Sequence, residues 1–119
     1  MVRRKQGQLL ALEHEILAAA AEIHRSDDRT FHGYAIARQL QVNTGGRRLT
    51  SHGTLYKALS RLHRAGLLDA TWEDPDIAAS QDRPRRRLYA ITGLGFEVLH
   101  LADAHQPIPA AVITGLAPA

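Results

Sequence analysis

The sequence predicts one mainly α-helical domain with a small β-hairpin, an α+β fold in the order α-α-α-β-β-α. Apolar residues recur at helical spacing in three stretches before residue 66 and in one stretch after residue 92. Between these stretches they alternate with polar residues. The length of 119 residues suits a single domain, and with no cysteine the core forms without disulfide bonds. We expect the domain to span residues 1–106, followed by an apolar, proline-containing tail at 107–119.

The first two helices are predicted from apolar positions three and four residues apart, at about 8–24 and at about 33–41. Four residues of the second helix are expected to be buried: Tyr34, Ile36, Ala37 and Leu40. The stretch NTGGRR at 43–48 is expected to form a turn, because paired glycines interrupt helices.

The third helix lies within SHGTLYKALSRLHRAGLL, residues 51–68. Thr50 or Ser51 can cap its first turn, and Gly66 ends it. Three leucines are expected to face the core: Leu55, Leu59 and Leu62. The opposite side carries Lys57, Arg61 and Arg64, and the stretch has no acidic residue. Surface helices usually mix both signs of charge, so this face predicts a polyanionic partner.

The hairpin is predicted from LLDATWE at 67–73 and RRRLYAIT at 85–92. Alternation in the first strand puts three residues on the core side: Leu68, Ala70 and Trp72. Tyr89 of the second strand is also expected in the core. The intervening DPDIAASQD, residues 74–82, is expected to be a polar loop.

The last helix is predicted from Thr92, its capping residue, to about His105. Three of its residues are expected on one buried face: Leu94, Val98 and Leu101. His100, Asp103 and His105 are metal-ligand types. However, the two histidines are five positions apart, which puts their side chains on different faces of a helix, so we predict no metal site.

Positive charge is concentrated in two parts of the chain. Residues 29–68 contain seven Lys or Arg and no Asp or Glu, so the rest of the chain carries −4 against a total of +3. RPRRR at 83–87 adds four arginines at the start of the second strand. Such segregation is typical of a surface that binds nucleic acid.

Three helices, a hairpin and a closing helix are the elements of a winged helix-turn-helix. In this fold the third helix enters the major groove and the hairpin reaches the neighbouring backbone. Because the two basic clusters fall on these two elements, the sequence predicts sequence-specific binding of double-stranded DNA.

The chain also resembles the PadR-type transcriptional regulators over roughly residues 8–102. The resemblance rests on HGYAI at 32–36, GTLYKALSRLHRAGLL at 53–68, Trp72, and RRRLYAITGLG at 85–95. It implies a homodimeric DNA-binding repressor, often relieved by a small ligand or an external cue that the sequence does not identify. We expect the first and last helices, helped by the apolar tail, to form the dimer, and its two modules to read the half-sites of an inverted-repeat operator. Two departures are that Lys57 stands where the family usually has proline, and that the C-terminal region is short.

Carried onto this sequence, the resemblance implies a DNA-facing group at the start of the third helix: Ser51, His52, Thr54, Tyr56 and Lys57. Arg61 and Arg64, farther along, are expected to contact phosphate. The wing arginines are expected at the flanking backbone or minor groove: Arg83, Arg85, Arg86 and Arg87. Tyr56 either donates its hydroxyl to phosphate or packs beside Leu59 and Leu62.

Other classes of function are disfavoured. The sequence has no phosphate-loop lysine, dinucleotide fingerprint, serine elbow or HExxH, so we expect neither catalysis nor a cofactor. Glu13, His14 and Glu15 interrupt the first apolar run, which favours a cytoplasmic protein over a secreted or membrane one. The alternative that remains is a winged-helix module that binds protein instead of DNA.

Overall fold

The computed structural model describes residues 4–26, 29–46 and 50–117. Within them lie α1 (Ala11–Arg25), α2 (Gly33–Asn43), α3 (His52–Arg64), β1 (Leu68–Trp72), α4 (Pro75–Ser80), β2 (Arg87–Ile91), α5 (Gly93–Asp103) and α6 (Ala110–Leu116). The predicted order α-α-α-β-β-α is confirmed, with α4 added inside the hairpin and α6 added after α5. In this part of the chain no helix is both long and apolar enough to cross a bilayer.

The core lies between α1, α3 and α5. Ile16 and Leu17 of α1 and Val98 of α5 have no exposed surface. They form one apolar cluster with the leucines predicted to face the core from α3, which are buried as expected: Leu55, Leu59 and Leu62. Burial of each such side chain contributes roughly 1.5–3 kcal/mol, so this packing fixes α3 on the domain.

Helix α2 crosses beside α1 and leads into the turn before α3. Ile36 and Leu40 are buried as predicted, but Tyr34 is 62% exposed and the prediction for it was wrong. At about 100° per residue, Tyr34 lies about 200° around the helix from Ile36, on the solvent side. Gly45 and Gly46 adopt the positive φ of a turn, and Arg47 and Arg48 of the predicted turn lie outside the described residues.

The two strands form an antiparallel hairpin. Leu68 pairs with Ile91 at its base and Trp72 with Arg87 at its outer end. Phe31, just before α2, exchanges two backbone hydrogen bonds of 2.8 and 2.9 Å with Tyr89, which ties α2 to the hairpin. Tyr89 is buried as expected, but Trp72 is 56% exposed and not part of the core. At Trp72, its last residue, β1 extends beyond the edge of the core.

The segment between the strands is a short helix, α4, so the expectation of a polar loop was wrong. The Asp74 side chain accepts the backbone N–H of Asp76 at 2.8 Å, and Pro75 occupies the first helical position. Both are helix-start signals. The wing, residues Leu68–Ile91, therefore consists of two strands joined by one capped helical turn and its flanking residues.

Helix α5 begins where it was predicted. The Thr92 hydroxyl accepts the N–H of Gly95 at 2.9 Å and donates to the carbonyl of Gly66 at 2.7 Å, which joins the ends of α3 and β2. Val98 is buried and Leu101 is half-buried, but Leu94 is 39% exposed, contrary to expectation.

Residues 107–117, expected as an apolar tail, turn back onto α3. Three side chains of this segment are buried: Ile108, Val112 and Leu116. Gly115 of α6 lies so close to Ala65 that an added Cβ would be 3.0 Å from the Ala65 Cα. The C-terminal end of α3 is thereby covered by α6.

Candidate nucleic-acid interface

The start of α3 presents polar side chains to solvent. The Ser51 hydroxyl accepts the N–H of Thr54 at 3.2 Å and donates to the Thr54 hydroxyl at 2.9 Å. The His52 ring lies against the Tyr56 ring, with centroids 4.9 Å apart. Lys57 is exposed and follows on the same helix. Hydroxyl, imidazole and ammonium groups on an exposed helix start are suited to the base edges and phosphates of a groove.

The arginines of the wing are held by one carboxylate and one aromatic ring. Arg83 donates two hydrogen bonds to the Glu73 carboxylate, the longer of 2.8 Å, and Arg85 donates to the Glu73 backbone oxygen at 3.1 Å. The hydrogen bond from Arg83 is the main reason that the pKa of Glu73 falls to about 2. The guanidinium carbons of Arg85 and Arg87 lie 5.6 and 5.1 Å from the centre of the Trp72 ring.

These contacts arrange the charges of the wing. The carboxylate of Glu73 offsets Arg83, and Arg85, Arg86 and Arg87 form a positive group where the wing lines a cavity described below. The other acidic residues of the wing do not line that cavity: Asp69, Asp74, Asp76 and Asp82. A cation over an aromatic face is stabilised by about 0.5–1 kcal/mol at an exposed site, and Trp72 provides such a face. The exposed tryptophan therefore organises the wing instead of filling the core.

A notch of about 360 Å³, which we call the wing notch, separates the wing from the start of α2 and α3. Its walls are His32, which caps α2, Gly33 and Tyr34 from α2, Tyr56 from α3, and residues 83–87 from the wing. The Tyr56 phenol lies against Gly33, where any Cβ would overlap the hydroxyl. The wing notch thus brings the arginines within residues 83–87 next to Tyr56 of α3 and the start of α2.

Arg61 is paired with a buried carboxylate and does not line the wing notch. Its Nε donates to the carboxylate of Glu13 at 3.1 Å, and Glu13 also receives two hydrogen bonds from Arg4 and the N–H of Leu10 at 2.9 Å. Glu13 has no exposed surface. Burial raises its pKa, but the hydrogen bonds from Arg4, Leu10 and Arg61, together with the charge of Arg4, outweigh burial and hold the pKa below its usual value.

Arg64 lies one turn farther along α3. Its Nη2 donates to the backbone oxygen of Ala117 at 2.6 Å, while the side chain stays exposed. Arg61 and Arg64 therefore both connect α3 to other parts of the fold, Arg61 to the N-terminal segment and Arg64 to the segment after α6.

The histidines and aspartate near the end of α5 do not come together. Asp103 Oδ1 lies 2.7 Å from His14 Nε2 of α1, so Asp103 pairs across two helices. In the ranges that the structure describes, no three His, Asp or Glu side chains are grouped so as to hold a metal ion.

Sequence reasoning missed three residues of this surface: His32, Tyr34 and Glu73. A local signal existed for the first two, because His32 directly precedes a helix and Tyr34 is on its polar side. Nothing local indicated Glu73, whose arginine partner follows ten residues later across the hairpin.

The comparisons with known proteins agree with this architecture. The model of the transcriptional regulator PadR-like family matches residues 23–101. A transcriptional regulator from Clostridium thermocellum has a TM-score of 0.62 at 22% identity, covering 78% of this chain and 79% of that one. The circadian clock associated protein Pex from Anabaena has a TM-score of 0.55 at 19% identity, covering 85% and 82%. These two likenesses support the fold. No curated protein sequence matches.

Proposed function

Because this chain belongs to the PadR-like family of transcriptional regulators, we propose that it is a repressor that binds an inverted-repeat operator in double-stranded DNA as a homodimer. The observation that carries the proposal is the wing notch, where Tyr56 of α3 and the wing arginines line one cavity. With α3 in a major groove, the wing then meets the adjoining backbone, as the winged-helix arrangement requires. Members of the family are regulators and not enzymes.

The side chains divide into two roles. Ser51, His52 and Thr54 are polar, exposed and at the start of α3, so we assign them to base edges, which carry sequence information. Four cations are assigned to phosphates, which set affinity and salt dependence: Lys57, Arg85, Arg86 and Arg87.

The remaining predicted residues receive other roles in the proposal. Arg83 is paired with Glu73 and supports the wing. Arg61 is paired with buried Glu13, so we assign it to fixing the position of α3 instead of contacting phosphate. Arg64 has an exposed side chain and is assigned to a phosphate of the DNA backbone at the edge of the site. Tyr56 forms the wall between α3 and the wing.

A homodimer follows from the need for specificity, because one small module makes too few base contacts to select a genomic site. Two modules reading half-sites about 34–36 Å apart meet that need. We assign the contact between subunits to α1 and α5, since the large apolar side chains of residues 107–117 are buried within one subunit. An effector that changed the angle between subunits would alter this spacing and relieve repression. We place the protein with DNA in the cytoplasm.

The proposal is tested by binding to labelled duplex fragments from around the protein's own gene, titrated from about 50 to 200 mM salt. With Arg64 included, five phosphate contacts per subunit give ten per dimer and a slope of log K against log salt of about −9. The matched controls are Lys57→Ala and Lys5→Ala, two exposed lysines of which only the first is on α3. Only Lys57→Ala is expected to flatten the slope.

Three outcomes separate the alternatives. Fragment-selective binding by two subunits with a steep salt slope supports the regulator. Equal, weak binding to every fragment contradicts sequence-specific recognition. The absence of binding at low salt favours a winged-helix module that binds protein.

A further inference from the structure

We propose that the wing notch is a site for one phosphate of the DNA backbone, with His32 donating a hydrogen bond to it from Nε2. The inference rests on the proposed DNA-binding function and adds α2 to the contact surface. It concerns His32, Tyr34 and Tyr56, which line the notch together with the wing arginines.

The first step is the orientation of the His32 ring. Nδ1 of His32 accepts the backbone N–H of Ala35 at 3.4 Å and so caps α2. A ring nitrogen that accepts carries no proton, so Nε2 of the neutral imidazole carries it and is a donor. Helix capping thereby fixes which nitrogen of His32 is available to a ligand.

The second step is the charge around the ring. The groups that face His32 are Arg83, Arg86 and Glu73 of the wing, the Tyr34 ring stacked 6.3 Å away, and Tyr56 on the far wall. Burial, followed by the charges of Arg86 and Arg83, lowers the pKa of His32, and Glu73 opposes them only in part. His32 is therefore neutral near pH 7 and keeps both its cap and its donor.

The third step is the chemistry of the notch as a whole. Glu73, its one carboxylate neighbour among the groups that face His32, already receives two hydrogen bonds from Arg83. The groups left to meet a ligand are an imidazole N–H, phenol hydroxyls and guanidinium groups, which are donors or cations. Such a set binds an anion, and oxygen acceptors of phosphate match guanidinium and N–H donors well.

The fourth step is the source of the phosphate. Tyr56 lies on α3 one position before Lys57, and its phenol reaches the notch because Gly33 has no side chain to block it. A duplex bound along α3 therefore passes the mouth of the notch. A backbone phosphate arrives there as part of the same docking event, whereas free phosphate must bind unaided.

The test compares His32→Asn with His32→Asp. Both residues are good helix caps, so α2 keeps its start in each variant. The two side chains have the same size and shape. Asn retains an N–H donor, whereas Asp carries a negative charge. We expect His32→Asp to bind the selected fragment roughly tenfold to a hundredfold more weakly than His32→Asn, with both variants unfolding at similar temperatures.

Gln106→Glu is the control, because it makes the same charge change in the cavity between the N-terminal segment and the end of α5. It is expected to bind within about twofold of the wild type, as a distant charge is screened. Equal binding by His32→Asn and His32→Asp overturns the phosphate site while leaving the regulator intact. No binding by the wild type overturns both.

A titration with inorganic phosphate alone, monitored by the fluorescence of Trp72, distinguishes a DNA phosphate from free phosphate as the ligand. We expect no saturation at millimolar concentrations, which supports a DNA phosphate. Saturable binding that competes with DNA would overturn the DNA assignment in favour of a free phosphate.

Discussion

Arg61→Ala separates a structural role of this arginine from a role in binding phosphate. Arg61 is 20% exposed and Glu13 is fully buried, so the variant removes one hydrogen bond from a buried charge. Such a bond contributes about 1.5–3 kcal/mol. Glu13 keeps Arg4 and the N–H of Leu10, and we therefore expect a loss of about 2 kcal/mol in the free energy of unfolding.

This loss converts to a shift in melting temperature. Unfolding entropies of about 2.1 cal/mol/K per residue give about 0.25 kcal/mol/K for 119 residues. Arg61→Ala is then expected to lower Tm by about 8 °C, measured by circular dichroism, and to leave the salt slope of DNA binding unchanged.

Lys57→Ala is the matched control and should give the opposite pattern. Its side chain is exposed, so Tm should hardly move, while the salt slope should flatten by about one unit per subunit. A flattened slope and an unchanged Tm for Arg61→Ala would refute the assignment of Arg61 to Glu13.

Three further predictions concern other parts of the fold. In the folded protein the pKa of Glu13 is lowered from its usual value of 4.5, so the ionised carboxylate stabilises the folded state. This contribution is fully present above about pH 4.5 and is lost as the pH falls through the pKa of the folded state. Urea titrations should show the stability difference between wild type and Glu13→Gln shrinking below about pH 4.5; a constant difference would contradict the ion pair. Gly95→Ala should lower the free energy of unfolding by about 1–3 kcal/mol, because an added Cβ would overlap the Leu67 carbonyl oxygen. Gly93→Ala, whose Cβ would lie in open space, should leave the free energy of unfolding unchanged. Equal melting temperatures would argue against that close packing. Trp72, the one tryptophan, should change fluorescence on binding DNA, and an unchanged spectrum would place the wing away from the duplex.

Local patterns were sufficient for most of the fold. The leucines of α3 and the caps Ser51 and Thr92 lie where periodicity and hydroxyl position predicted them. The same rules explain α4 in retrospect, since Asp74 followed by Pro75 is a helix start.

The errors have physical causes of two kinds. The alternation of apolar and polar residues in β1 indicates which side of the strand faces the core, but not where the core ends. It could not show that Trp72 lies beyond the core, beside Arg85 and Arg87. Partners distant in sequence leave no local pattern. Glu13 and Arg61 are 48 residues apart, and their pairing could not be predicted from the sequence.

The packing of α6 against α3 has a consequence for how the molecule is made. Arg64 and Ala117 are 53 residues apart, so the contact closes a long loop. During synthesis α3 and the wing emerge well before α6, which covers the C-terminal end of α3, and long-range contacts of this kind form late. A chain interrupted before residue 110 would carry every residue assigned to DNA yet leave an apolar side of α3 uncovered. Incomplete copies are thus expected to aggregate or be degraded before they can compete for an operator.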